Sequence, residues 1–207
     1  MKRSLLLLVA FALMGAIMVL EPISQDEAYH RFADSRHLLG IPNFWNVVSN
    51  VLFAYVGIAG LRFLAVAGQP GIVASLLPSY RVFFSGLLLT AFGSAWYHAA
   101  PGIESMVWDR LPMTIAFMSL FSLVIGEQLS ERLGRQLLLP LLLVGAGTVV
   151  YWWFGESAGR GDLRPYVLVQ FMPMILIPMM LALYQSPFDR TGFIWLMIVL
   201  YAAAKVF

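Results

Sequence analysis

A serine, a histidine and an aspartate lie close together in the sequence, at the edges of two apolar runs. Ser94 and His98 are four residues apart, a spacing that places both side chains on one face of a helix. Asp109 follows eleven residues after His98, beyond a Pro-Gly turn at residues 101–102. An imidazole can bind zinc, a carboxylate can transfer a proton, and a hydroxyl can donate a hydrogen bond to an oxyanion. We therefore interpret residues 93–112 as one half of a metal-dependent catalytic site.

Each of these three residues also has a simpler interpretation. His98 can be an interfacial hydrogen-bonding residue at the end of a helix. Asp109 can cap the next helix or form an ion pair with Arg110. Ser94 can be a small residue that allows two helices to approach closely. One histidine does not make a zinc site, so the spacing alone leaves both interpretations open.

The composition indicates an integral membrane protein. Of the 207 residues, 60% are hydrophobic and 12% are charged, whereas a soluble domain has roughly 25% charged residues. The mean hydropathy is +0.81. A net charge of +2 gives no indication of nucleic-acid binding, and no charged residue lies in the middle of an apolar run to suggest an ion path. The absence of cysteine excludes a disulfide framework, a thiolate nucleophile and a cysteine-type zinc site.

Seven apolar runs, each near the roughly 20 residues that cross a bilayer, predict an all-α bundle of seven transmembrane spans in one domain. The runs are residues 5–20, 44–66, 82–100, 111–129, 137–154, 165–185 and 193–207, and residues 21–43 and 101–110 are predicted loops. No cleavage pattern follows the first run, so we predict a retained helix rather than a signal peptide. Lys2 and Arg3 favour a cytoplasmic amino terminus, and the short loops suit a bacterial inner membrane.

Other polar and sulfur-containing residues are expected to have structural roles. Asn43, Asn46 and Asn50 fall at i, i+3 and i+7 of the second span and predict a polar stripe that faces other helices. His30 and His37 have no metal-ligand spacing and are interpreted as ordinary loop histidines. The sixth span contains four methionines whose expected role is packing, namely Met172, Met174, Met179 and Met180.

These residues together resemble a known family. The Phe-Trp-Asn-Val-Val-Ser-Asn segment at residues 44–50 is similar to the first core helix of the alkaline ceramidases. Ser94-x-x-x-His98 followed by Asp109 resembles their second and third core helices. Residues 109–113 are similar to the family's Asp-Glu-Leu-Pro-Met stretch, with Arg110 in place of the glutamate. The resemblance extends over residues 43–207, so the first span would be an additional helix.

The resemblance implies a zinc-dependent hydrolase that cleaves the amide bond of a ceramide-like membrane lipid, a sphingolipid. In that family, zinc-bound hydroxide is the nucleophile. His98 would be a zinc ligand, and Asp109 and Ser94 would be the catalytic residues. The wider superfamily includes the progestin and adiponectin receptors, so the alternative is a non-catalytic seven-span lipid-binding receptor or scaffold of the same fold.

The sequence departs from the family pattern at two points. The family's other zinc ligands come from a His-x-x-x-His motif on the last core helix, and no histidine follows His98 here. We therefore expect a chain that lacks this helix after Phe207 and is inactive in this form. The second departure is Asn43, which stands where calcium-binding members have a glutamate, so calcium is not expected.

Overall fold

A computed structural model of the chain describes residues 1–66, 71–189 and 191–204. The described residues fold mainly into α-helices, which confirms the predicted all-α architecture. The helices are α1 (Lys2–Val19), α2 (Phe44–Val48), α3 (Val51–Ala65), α4 (Leu77–Ala99), α5 (Ile103–Gln128), α6 (Glu131–Ser157), α7 (Arg164–Leu183) and α8 (Gly192–Ala203). Two short 3-10 helices, Glu27–His30 and Ala74–Leu76, precede α2 and α4.

Six helical segments of the described part of the chain are long and apolar enough to cross a membrane. They correspond in order to the first six predicted runs, so the chain is a multi-pass integral membrane protein. The seventh predicted span coincides with α8, a shorter apolar helix. Residues 205–207 of that predicted span lie outside the described residues.

The central helix of the bundle is α5. Buried residues make up 67% of its most apolar window, the highest share among the six spans. It packs against α4, α6 and α7, while α3 packs on α4 and α1 packs on α7. Val124, Ile177 and Met180 belong to a buried cluster where α5 meets α7. The central position of α5 matters because this helix carries Asp109.

The predicted loop over residues 101–110 is wrong for most of its length. Helix α5 begins at Ile103 with Gly102 as its N-cap residue, so Asp109 lies in the second helical turn and does not cap the helix. The Ser105 hydroxyl donates hydrogen bonds to two carbonyl oxygens of the preceding turn, at 2.6 and 3.1 Å. The sequence prediction counted charged residues as loop, although the ends of membrane helices at the interface also carry charge.

The second predicted span is interrupted near its start. Helix α2 ends at Val48 and α3 begins at Val51. Between them, the buried Asn50 side chain donates to the carbonyl oxygens of Asn46, at 2.8 Å, and Val47, at 3.3 Å. These bonds compete with the regular helical hydrogen bonds. Within the predicted asparagine stripe, the Asn50 side chain therefore bonds back to the carbonyl groups of α2.

Candidate functional site

An apolar cavity of about 380 Å³ lies between α3, α4, α5, α7 and α8. Its walls are mainly formed by aliphatic and aromatic side chains and methionines. The polar residues that line it are Thr90, Ser94, Asp109, Gln170 and Tyr201. Ligand-binding cavities typically have volumes of about 300–1,000 Å³. The structure therefore brings two of the predicted site residues, Ser94 and Asp109, to one cavity of ligand-binding size.

A close backbone contact between α4 and α5 places these two residues. Gly93 lies against Trp108, and a Cβ atom at Gly93 would be 2.7 Å from the Trp108 carbonyl carbon and 3.3 Å from the Asp109 nitrogen. Pro112 has no N–H, so the Trp108 carbonyl, four residues earlier, lacks its usual helical donor. The glycine allows the Cα–H group of α4 to approach this carbonyl. This approach fixes Ser94, the next residue on α4, close to the turn of α5 that carries Asp109.

His98 lies about 6 Å further along α4 than Ser94, at a helical rise of roughly 1.5 Å per residue. It is not among the residues found to line the cavity. Its Nδ1 atom is buried and has no hydrogen-bond partner. Its ring packs against Phe32 with the centroids 4.6 Å apart, and its backbone carbonyl accepts a hydrogen bond of 2.8 Å from Asn43.

A metal site would find one candidate imidazole among the described residues, but not a complete set of ligands. No group of three or more histidine, aspartate or glutamate residues in the described part of the chain could hold a metal ion. Catalytic zinc sites generally use three protein ligands. The buried, unpartnered Nδ1 of His98 fits one of these positions, and the remaining ligands are not gathered around it.

His30 forms a specific contact that its spacing did not indicate. Its Nδ1 atom lies 3.1 Å from the hydroxyl of Tyr97, which in turn reaches the carbonyl oxygen of Tyr29 at 3.5 Å. Tyr97 is only 1% exposed and is the neighbour of His98 in the sequence. His37, in contrast, is exposed. The segment before α2 therefore contacts α4 beside His98.

Arg110, the residue in place of the expected glutamate, is buried in an aromatic environment. Its guanidinium lies 4.2 Å from the centre of the Trp152 ring and 4.9 Å from that of Tyr166. Its Nη2 atom donates a 2.6 Å hydrogen bond to Oε1 of Gln25, while Nη1 is buried without a partner. Arg110 thus connects α5 with α6, α7 and the segment that follows α1.

Gln170 and Tyr201 are cavity residues that the sequence analysis missed. Nε2 of Gln170 donates a 2.6 Å hydrogen bond to the Tyr201 hydroxyl, which joins α7 to α8 at the cavity wall. A glutamine inside an apolar run was the available signal, because an amide in a bilayer needs a partner. Among the methionines, Met180 packs in the core as predicted, whereas Met174 lines the cavity.

Comparison with protein families gives one clear result. The Ceramidase family model matches residues 36–204, which is more than half of the chain. The matched range includes α2 to α8 and therefore all the residues that line the cavity. Comparisons with curated proteins and with solved structures give no match. From the extent of the family match, the chain belongs to the ceramidase family.

Proposed function

We propose that this chain forms the lipid site of a membrane hydrolase that cleaves the amide bond of a ceramide-like lipid. The observation that carries the proposal is the position of Ser94 and Asp109 on the wall of an apolar cavity of about 380 Å³. The hydrocarbon chains of such a lipid suit apolar walls, and its amide needs hydrogen-bonding groups once it leaves water. The family match supports the same class of substrate.

We assign separate chemical roles to the two cavity residues. The Asp109 carboxylate accepts the proton of the attacking water and returns it to the leaving amine. The Ser94 hydroxyl donates a hydrogen bond to the oxyanion that develops on the amide carbonyl. Gln170 and Tyr201 line the same cavity and offer further hydrogen bonds to the polar part of the lipid.

We also propose that zinc is the cofactor and that His98 provides one of its ligands. A zinc ion supplies Lewis-acid polarisation of the carbonyl and activation of water at neutral pH. The sequence has three histidines and no cysteine, and no complete ligand group forms among the described residues. We therefore propose that the 207-residue chain does not hydrolyse ceramide unless a further helix supplies the missing ligands.

The experiment compares the chain with a chimera in which a helix carrying the family's His-x-x-x-His motif follows residue 207. Zinc content is measured by elemental analysis, and hydrolysis by release of a fluorescent fatty acid from ceramide. We expect little zinc and no hydrolysis from the chain, and zinc with hydrolysis from the chimera. In the chimera, the substitution His98→Ala should abolish both zinc binding and hydrolysis. His37→Ala, which changes an exposed histidine, should abolish neither. A zinc-loaded chimera that does not cleave ceramide would contradict the proposed reaction.

A non-catalytic lipid-binding receptor or scaffold is the second candidate. The observation that favours it is that His98 is not among the lining residues of the cavity, so a lipid can occupy the cavity without touching the imidazole. Both candidates predict saturable binding of ceramide. Only the hydrolase predicts that the chimera cleaves the amide and that Asp109→Asn lowers the rate of this cleavage by at least about 100-fold.

A further inference from the structure

A segment outside the family match contacts the residues beside the candidate site. The match begins at residue 36, so residues 23–32, which we call the cover segment, lie before it. This segment follows α1 and ends before α2 begins. Three of its side chains, those of Gln25, His30 and Phe32, contact α4 or α5 at or next to a candidate site residue.

The first contact covers the candidate metal ligand. The Phe32 ring lies against the His98 imidazole at a centroid distance of 4.6 Å and meets the Tyr97 ring edge-on at 5.5 Å. The Nδ1 atom of His98 is buried. An apolar ring against an imidazole excludes water from that face and restricts rotation of the ring.

The other two contacts hold the neighbours of the site residues. His30 Nδ1 is 3.1 Å from the hydroxyl of Tyr97, the residue before His98. Gln25 Oε1 accepts a 2.6 Å hydrogen bond from Arg110, the residue after Asp109. Gln25 and Arg110 are both buried, so breaking this charge-assisted bond would leave polar groups without partners.

The cover segment is itself bonded to the end of α6 and to the residue before α7. The carbonyl oxygen of Ile23 accepts a 2.7 Å hydrogen bond from the Leu163 amide. The amide of Gln25 donates to the Glu156 carboxylate at 3.3 Å. Just before the segment, Arg164 donates a 2.6 Å hydrogen bond to the carbonyl oxygen of Leu20. These bonds connect the segment that makes the three contacts to α6 and α7.

We propose that the cover segment positions the catalytic site and that Gln25, His30 and Phe32 are its positioning residues. Phe32 shields and orients His98, while Gln25 holds Arg110 and with it the turn of α5 that carries Asp109. That these contacts serve catalysis rests on the proposed function. The geometric part of the proposal, the shielding of His98, can be tested without any hydrolysis.

The test measures the rate at which diethyl pyrocarbonate modifies each histidine of the purified chain, by peptide mass spectrometry. His37 is exposed and serves as an internal reference within the same molecule. We expect Phe32→Ala to raise the rate at His98 several-fold and to leave His37 unchanged. Phe32→Tyr keeps the ring and should behave as the unmodified chain, as should Leu39→Ala, which removes a side chain that is 92% exposed.

A second pair of variants tests the contact near Asp109. Gln25→Ala should also raise the rate of His98 modification, because it releases the cover segment from Arg110. Gln25→Glu should keep the rate of the unmodified chain, because a carboxylate still accepts a hydrogen bond from the guanidinium. An unchanged rate at His98 in both Phe32→Ala and Gln25→Ala would overturn the proposal, as would an equal rise in Phe32→Tyr. A different result would overturn only the proposed function. In that case the labelling rates would follow our expectation, but the chimera would not cleave ceramide.

Discussion

The contact between Gly93 and Trp108 gives a prediction whose size follows from the geometry. We consider the substitution Gly93→Ala, which adds one methyl group at the closest approach of α4 and α5. That methyl carbon would lie 2.7 Å from the Trp108 carbonyl carbon, and nearer still to its oxygen. The obstacle is backbone, which cannot rotate away as a flexible side chain can.

The helices must separate to accept the methyl group. Ordinary van der Waals contact begins at 3.4 Å, so the carbonyl carbon alone requires a movement of 0.7 Å, the difference between 3.4 and 2.7 Å, and the nearer carbonyl oxygen requires more. Overpacking of this kind typically costs about 1–3 kcal/mol of folding free energy. A misplacement of about 1 Å between reacting groups can also reduce a rate by about 100-fold.

The assay compares Gly93→Ala with Gly147→Ala in detergent micelles by thermal unfolding followed by circular dichroism. Gly147 is also helical, but a Cβ atom there has no neighbour within 4 Å. We expect Gly93→Ala to lower the unfolding temperature and to weaken ceramide binding in the cavity. Gly147→Ala should be neutral or stabilising by up to about 1 kcal/mol, because alanine favours the helix.

Two results would refute this reasoning. If Gly93→Ala were as stable as the unmodified chain and bound ceramide equally well, the backbone contact would not determine how α4 and α5 pack. If both alanine variants lost the same stability, the loss would not depend on the contact with Trp108.

Three further predictions concern contacts around the bundle. Arg164 lowers the pKa of Asp162 through hydrogen bonds of 2.8–3.1 Å. The folding stability that this pair contributes is therefore present above the ordinary aspartate pKa of about 4 and is lost as the pH falls below it. When stability is measured during acid titration, the Asp162→Asn variant should lack this loss. Arg110→Lys should lower the unfolding free energy by about 1–2 kcal/mol, because an ammonium cannot both stack on Trp152 and reach Gln25 as the guanidinium does; an unfolding temperature equal to that of the unmodified chain would contradict this. Tyr201→Phe removes the acceptor of the Gln170 hydrogen bond between α7 and α8 and should cost about 1 kcal/mol, measured by thermal unfolding, whereas a gain in stability would show that this bond does not hold α8.

The sequence predicted the helical architecture well because the hydrocarbon core of a bilayer requires long apolar segments, which are visible in the sequence. Six of the seven predicted spans match long helices of the structure. The prediction failed where helices extend beyond the apolar run, as at Ile103, which begins α5 eight residues before the predicted span. Hydropathy cannot separate a polar loop from a polar helical turn, since both are rich in charged residues.

The candidate site was predicted in part. The spacing of Ser94 and His98 correctly identified neighbours on α4, but only Ser94 was found to line the cavity. The burial of Arg110 against Trp152 and the contact between Phe32 and His98 join residues far apart in the chain. Such contacts depend on how the helices pack, which local spacing does not encode.

The central claim, that a ceramide-like lipid binds in the cavity beside Ser94 and Asp109, is tested most directly by photocrosslinking. A ceramide carrying a diazirine on its acyl chain is bound to the purified chain, irradiated, and the modified residues are identified by mass spectrometry. We predict crosslinks to cavity residues such as Met113 and Met174 that excess ceramide removes and excess phosphatidylcholine does not. Crosslinks confined to outward-facing residues such as Leu139, which is 64% exposed, or equal competition by both lipids, would contradict the claim.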